Sequence, residues 1–143
     1  MKKVSILFVS AIALFLTSCS KDDNNSSSAE SIEGKWNYSK MSMTYNGQTT
    51  PETDYDDNET GCSKDYLEIK TGGVFDEGDY TSGCAFTKYS GTWTKVENFY
   101  TFVSSGNSQI YELVSVTSTE LKFRIGETVG GVVFYTNYTF TKA

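Results

Sequence analysis

The sequence predicts an all-β domain over residues 31–143, with eight antiparallel strands in up-and-down order closed into a barrel. Three observations carry this. Ten Tyr and nine Phe accompany many Thr and a single Pro, a composition suited to pleated, half-buried surfaces. From residue 34 onward, strand-like runs recur between clusters of turn residues. Most of the connections are too short for crossover helices, so consecutive strands run antiparallel.

Residues 34–45 form the first strand, which stops at Asn46-Gly47, a type I′ turn pair. An acidic loop over 48–64 follows. Residues 66–70 and 74–80 make a hairpin around Thr71-Gly72-Gly73, read as a two-residue di-glycine turn with Thr71 facing Val74. Strands four to eight cover 86–96, 98–104, 109–117, 120–126 and 131–141. Glu97-Asn98, Ser105-Gly106-Asn107 and Ser118-Thr119 punctuate them. Alternation is clearest in the last two. Leu121, Phe123 and Ile125 share one face against Lys122 and Arg124, and Val132, Phe134, Tyr138 and Phe140 share one against Asn137, Thr139 and Thr141. Strand six has apolar residues on both faces, with Ile110, Val114 and Val116 against Tyr111 and Leu113, so its orientation is open. Tight hairpins in sequential order favour closure, which removes exposed edges. An eight-stranded barrel is wide enough to be filled by its own side chains or to hold one small ligand.

The N-terminus is an address. Met1-Lys2-Lys3 is a positive n-region and residues 4–16 an apolar run. The run is shorter than the roughly 20 residues a bilayer span needs, so it reads as a secretory signal. Leu16-Thr17-Ser18-Cys19 resembles the bacterial lipobox, which implies cleavage after residue 18 and a lipid-bearing Cys19. A cysteine is required because a thiolate is the side chain nucleophilic enough to take a diacylglyceryl group as a thioether. Two or three acyl chains then satisfy the two-signal requirement for stable anchoring. Ser20-Lys21-Asp22-Asp23 is similar to the acidic export signal that sends Bacteroidetes lipoproteins to the outer face of the outer membrane. Residues 19–30, including Asn24-Asn25-Ser26-Ser27-Ser28, read as a disordered tether.

Composition excludes several classes. Removing residues 1–18 takes away Lys2 and Lys3 and no acid, moving the formal net charge from −6 to −8. That balance opposes nucleic acid as a partner. The chain has no His, which removes Ser-His-Asp and Cys-His machinery and His-containing zinc sites. No cofactor is expected, and a monomer is.

With Cys19 assigned to lipid, Cys62 and Cys84 are left together in an oxidising compartment. They flank the open end of the 66–80 hairpin within one residue of being opposite, a slack that a bulge or a three-residue turn absorbs. The expectation is a structural disulfide. A metal site is the alternative, though two Cys without His supply too few ligands.

Ile32-Glu33-Gly34-Lys35-Trp36 resembles the lipocalin signature, with Gly-x-Trp opening the first strand. A second Gly-x-Trp in Tyr89-Ser90-Gly91-Thr92-Trp93, the cysteine-flanked hairpin, the segment 113–121 and the closing 138–142 are similar to lipocalin-like lipoproteins of Bacteroidetes. The resemblance covers nearly all of 32–142. It implies a calycin-type barrel, closed at one end and open at the other, that sometimes holds a small apolar molecule. It also implies that Trp36 lies across the closed end beneath a basic residue. Lys142, at the chain end, and Arg124, the one Arg of the chain, are the candidates for that partner.

Candidate chemistry is sparse. Residues 52–59 carry five carboxylates in eight positions, and Asp54, Asp56, Asn58 and Asp65 fall at calcium-loop positions. The competing reading is a solvated acidic loop near a barrel rim. Asp76, Glu77 and Asp79 could be paired acids for glycoside hydrolysis, or simply solvent-facing carboxylates on a hairpin. Aromatic walls with hydroxyl handles suit a small amphipathic ligand. Tyr89, Trp93, Phe123, Phe134 and Tyr138 have the inward parity to line such a site, or to fill a solid core. The expected function is therefore non-catalytic binding of a small apolar or amphipathic molecule by a lipid-anchored barrel that faces the cell exterior or the periplasm. The alternative is a solid barrel whose loops, 48–64 above all, bind a protein or glycan.

Overall fold

The computed structural model describes residues 30–143; the signal segment, Cys19 and the tether through residue 29 lie outside the described residues. Ten strands occur in sequence order: β1 Gly34–Tyr45, β2 Gln48–Thr49, β3 Thr53–Asp54, β4 Tyr66–Lys70, β5 Val74–Thr81, β6 Ala85–Val96, β7 Phe99–Ser104, β8 Asn107–Val116, β9 Glu120–Val129 and β10 Val132–Lys142. The eight long strands pair with their sequence neighbours, and β10 pairs back onto β1 to close the barrel. Every pairing is antiparallel. The short β2 and β3 attach to the far half of β1.

Two β-bulges set which side chains face inward. Where β8 pairs with β9 the register skips Val114, between Leu113↔Phe123 and Ser115↔Lys122. A bulge turns one residue out of the alternation. Tyr111 and Leu113 face the interior before it and Val116 after it, while Ile110 and Val114 lie on the outside, each more than half exposed. The two-faced apolar pattern of this strand is the signature of that bulge. In β1 the register skips Ser39, so Trp36 and Tyr38 point inward on one side of it and Met41, Met43 and Tyr45 share inward parity on the other.

The hairpin between β4 and β5 differs from the two-residue turn read from its di-glycine. Lys70 faces Val74, so Thr71, Gly72 and Gly73 form a three-residue loop. That register puts Cys62 and Cys84 two residues from opposite, and a short 3₁₀ turn at Ser82–Cys84 takes up the slack, so that a disulfide joins them with Cα atoms 5.3 Å apart. At the other end of the chain, β9 and β10 extend past the expected boundary to a tight turn at Gly130-Gly131, with Val129 facing Val132.

The core lies in one half of the barrel. Trp36, Phe123, Phe140, Ile69 and Leu121 are fully buried there, with Ile32, Leu67, Phe75, Tyr100 and Phe102 around them. The other half is more open, and that is where the interior cavities lie.

Candidate functional site

Two adjoining cavities, of about 360 and 410 Å³, occupy the open half and share Glu77 and Tyr89 in their walls. The first is largely aromatic and apolar at its base, with Leu67, Phe75, Phe102 and Tyr111, and is rimmed by Ser104, Asn107 and Gln109. The second carries the carboxylates of Asp56, Asp57, Glu59, Asp65, Glu77 and Asp79 among Tyr38, Tyr55 and Tyr80. Both open to solvent beside Tyr89, which is 45% exposed.

Strand parity places these groups. On β5, Phe75, Glu77 and Asp79 alternate inward, while Asp76 points outward to a polar cluster. There Asp76 pairs with Lys70 at 2.5 Å and Lys88 at 3.3 Å, and accepts a hydrogen bond from Ser90 Oγ. Lys70 above all, then Ser90 and Lys88, hold its carboxyl well below the usual carboxylate range. Glu77 has no such partner among the described residues. The Tyr38 hydroxyl donates to its Oε1 at 2.7 Å. Burial pushes the Glu77 carboxyl above its ordinary value against that hydrogen bond, and Asp79 and Asp65 push it further. Burial likewise raises the phenols of Tyr38, Tyr55 and Tyr111, which stay protonated donors.

The loop over 55–65 is tied down at the β1 bulge. Backbone groups released from the barrel ladder there take new partners: Tyr38 O accepts from Asn58 Nδ2, Ser39 O accepts from Tyr55 N, and Tyr38 N donates to Asp65 O. Asn58 Oδ1 accepts from Asp65 N, and Asp65 Oδ1 accepts from Tyr80 N. The Tyr55 ring stacks on Tyr38 with centroids 4.5 Å apart, which roofs the acidic cavity.

The closed end is built around Trp36. Its Nε1 donates to Ile32 O at 2.7 Å, and Lys142 Nζ lies 4.0 Å from the ring centroid while donating to Glu33 O. The glycine of this Gly-x-Trp has a reason. Gly34 sits at φ +130, and a Cβ there would come within 2.1 Å of Lys142 Nζ. In the second Gly-x-Trp, a Cβ on Gly91 would fall 2.1 Å from Val103 O and 2.6 Å from the Phe75 ring. Trp93 itself closes the β4–β5 hairpin, its Nε1 donating to Lys70 O and Val74 O.

The result is a closed eight-stranded up-and-down barrel, capped by a Gly-x-Trp at one end and open at the other. The family model of the lipocalin-like domain matches residues 32–123, more than half of the chain. The chain belongs to the lipocalin-like domain family. A lipocalin-like protein from Bacteroides uniformis superposes with a TM-score of 0.52 at 12% identity, covering 78% of this chain and 98% of that one. An uncharacterized protein from Bacteroides eggerthii gives 0.52 at 12%, covering 79% and 100%. At such identities the likeness speaks for the fold. The sequence matches none of the curated proteins.

Within this lipocalin-like barrel, several sequence expectations need correction. Arg124 is not part of the end cap. It lies on the outer face, bidentate to Glu112 through Nε and Nη2 at 2.7 and 2.8 Å and stacked 4.4 Å above Tyr135. Among the described residues, Lys142 is the cation over Trp36. Of the five residues expected to line a ligand site, Tyr89 lines both cavities and the other four line neither. Phe123 is fully buried, Trp93 is fixed at the closed end, Phe134 stacks on Tyr45 at 4.8 Å, and Tyr138 packs edge-on to Tyr38.

The calcium candidates do not converge. Asp54 is exposed and paired with Lys40 at 2.6 Å, Asn58 Oδ1 and one carboxylate oxygen of Asp65 accept from backbone N–H groups, and Asp56 lines the acidic cavity. Among the described residues, no three His, Cys, Asp or Glu side chains come together to hold a metal. Glu77 and Asp79 do share a face, but it is the interior one. The cavity residues missed in sequence were Leu67, Phe75, Phe102 and Tyr111, while Glu77 was singled out as a candidate acid and not as a wall of a binding cavity. The alternation of Phe75, Glu77 and Asp79 was the available signal, since a face that buries Phe75 carries the two acids with it.

The end cap yields a measurable expectation. Lys142→Met keeps the aliphatic stem and removes the charge over Trp36, so it should cost about 0.5–1 kcal/mol. Lys142→Arg should restore or exceed the wild-type value. Chemical denaturation midpoints of the three proteins check this, and a Met variant indistinguishable from wild type would remove the cation from the account of the cap.

Proposed function

We propose that this lipocalin-like protein binds a small apolar or amphipathic molecule without catalysing its conversion, and that it does so at the cell exterior, anchored in the outer membrane by lipid on Cys19. The observation that carries the binding reading is the pair of solvent-open cavities with an aromatic base and a polar rim. Their volumes suit a small ligand, since ligand sites run roughly 300–1,000 Å³ with apolar walls and a few convergent polar groups. The chain has no His, which removes the His-based nucleophile–base pairs and supports binding over chemistry. The lipobox at Leu16–Cys19 and the acidic Ser20–Asp23 support the address.

Native mass spectrometry of the protein purified from its own host tests both parts. The expected spectrum shows a diacyl or triacyl mass on the N-terminal Cys19 and a further, non-covalent small molecule that dissociates on activation. A spectrum of bare polypeptide would overturn the anchoring, and the absence of any co-purified species together with no uptake of added apolar probes would turn the reading toward a loop-mediated interaction module.

A further inference from the structure

The geometry points to an amphiphile with a protonated amine as the ligand: an ammonium group held at Glu77 in the acidic lobe, and an aromatic or aliphatic body lying in the apolar lobe. This rests on the binding reading above and adds the charge of the ligand to it.

The two lobes differ in chemistry along a line that runs through Glu77. On one side are Leu67, Phe75, Phe102 and Tyr111; on the other are Asp57, Asp65 and Asp79 beneath the Tyr38–Tyr55 stack. Among the described residues, neither lobe contains a Lys or an Arg. Elsewhere in the barrel, half-withdrawn carboxylates have cationic partners, as Asp76 does in Lys70 and Lys88 and Glu112 does in Arg124. Among the described residues Glu77 has none. Its Oε1 accepts from Tyr38, and its Oε2 accepts nothing from the described residues while remaining accessible from the cavity.

A carboxylate withdrawn from water without a counter-charge is a standing cost to the fold. Burial and the neighbouring acids raise the Glu77 proton affinity for that reason. An ammonium at Oε2 would relieve the cost, and the Tyr rings around it would add cation–π attraction. A fatty acid or other anion would place its head against the same carboxylates and be repelled. A neutral apolar ligand would fill one lobe and leave the other without a partner.

Calorimetric titration of the full-length protein with phenethylamine, phenethyl alcohol and hydrocinnamate separates these cases, because the three share a ring and a two-carbon chain and differ in head-group charge. The amine should bind about tenfold tighter than the alcohol, as one charge-assisted hydrogen bond supplies, and the carboxylate should bind weakest. Glu77→Gln keeps the oxygen that accepts from Tyr38, so the fold should persist; the amine's advantage should disappear while the alcohol's affinity stays. Asp79→Asn should reduce that advantage by a smaller factor. Equal binding of amine and alcohol, tighter binding of the carboxylate, or an amine preference that survives Glu77→Gln would each overturn the assignment of charge and leave the cavity as a binding site. No binding by any of the three at millimolar concentration would overturn the proposal, and the co-purified species in the native spectrum would then decide the broader reading independently.

Discussion

Phe123→Ala is expected to remove about 4 kcal/mol of stability, since truncating a buried Phe costs roughly 3–5 kcal/mol in transfer and cavity terms together. Phe123 is fully buried, and its ring lies 5.4–6.3 Å, centroid to centroid, from Tyr111, Tyr100, Phe102 and Phe140. Those neighbours come from β7, β8 and β10, which flank or lie near β9 around the barrel wall, so collapse around the missing ring would require several strands to move at once. Against a total stability of roughly 5–15 kcal/mol, this loss consumes much of the margin. A melting temperature lower by about 15–25 °C is the corresponding shift for a domain of this size. Phe134→Ala provides the contrast. Phe134 has the same inward parity but sits at the open end with one stacking partner, Tyr45, itself 45% exposed. It should lose about 1 kcal/mol, and equal losses at the two positions would contradict a core confined to one half of the barrel.

That contrast also marks what strand patterning can and cannot convey. Period-two alternation reports which face a residue shares, and Leu121, Phe123, Phe134 and Phe140 were grouped by it without difficulty. Depth along the barrel axis is not encoded in that period. Phe123 and Phe134 look alike in sequence, yet one is sealed at the centre and the other stands at the rim. Closure itself was legible from Asn46-Gly47, Glu97-Asn98 and Ser105-Gly106, where the backbone takes the positive φ that tight hairpins need. The bulge at Ser39 was not, because it inserts a single residue into the alternation and leaves no mark of its own, and the one at Val114 showed only as a two-faced apolar pattern that left its strand without an orientation.

The inward acids illustrate a different failure. Glu77 and Asp79 have the composition of a solvated hairpin, and polarity alone assigns them to water. Only Phe75, two residues earlier on the same face, says otherwise. The barrel accepts this local conflict because the open half keeps them close to solvent and Tyr38 satisfies one oxygen. Departures of this kind concentrate where function lies, and here the departure coincides with the junction of two cavities.

Removing the Cys62–Cys84 disulfide, by reduction or as the Cys62→Ala/Cys84→Ala pair, is expected to cost about 3 kcal/mol through the entropy restored to the unfolded chain. The cross-link spans 22 residues and encloses the whole β4–β5 hairpin. Thermal melting should fall by about 10–20 °C. Near-ultraviolet circular dichroism at room temperature should change little, because the effect resides mainly in the unfolded state. The consequence for binding is more selective. Glu59 of the acidic lobe precedes Cys62 by three residues, Thr81 precedes Cys84 by the same number, and both line that lobe. The disulfide thus clamps the acidic lobe from both sides, while the apolar lobe is walled by β4 to β8 and rests on the core. Loss of the cross-link should weaken phenethylamine more than phenethyl alcohol. An equal loss for both, with the melting point lowered as expected, would mean that the clamp stabilises the barrel as a whole and leaves the geometry of the acidic lobe to the hydrogen bonds of Asn58 and Asp65.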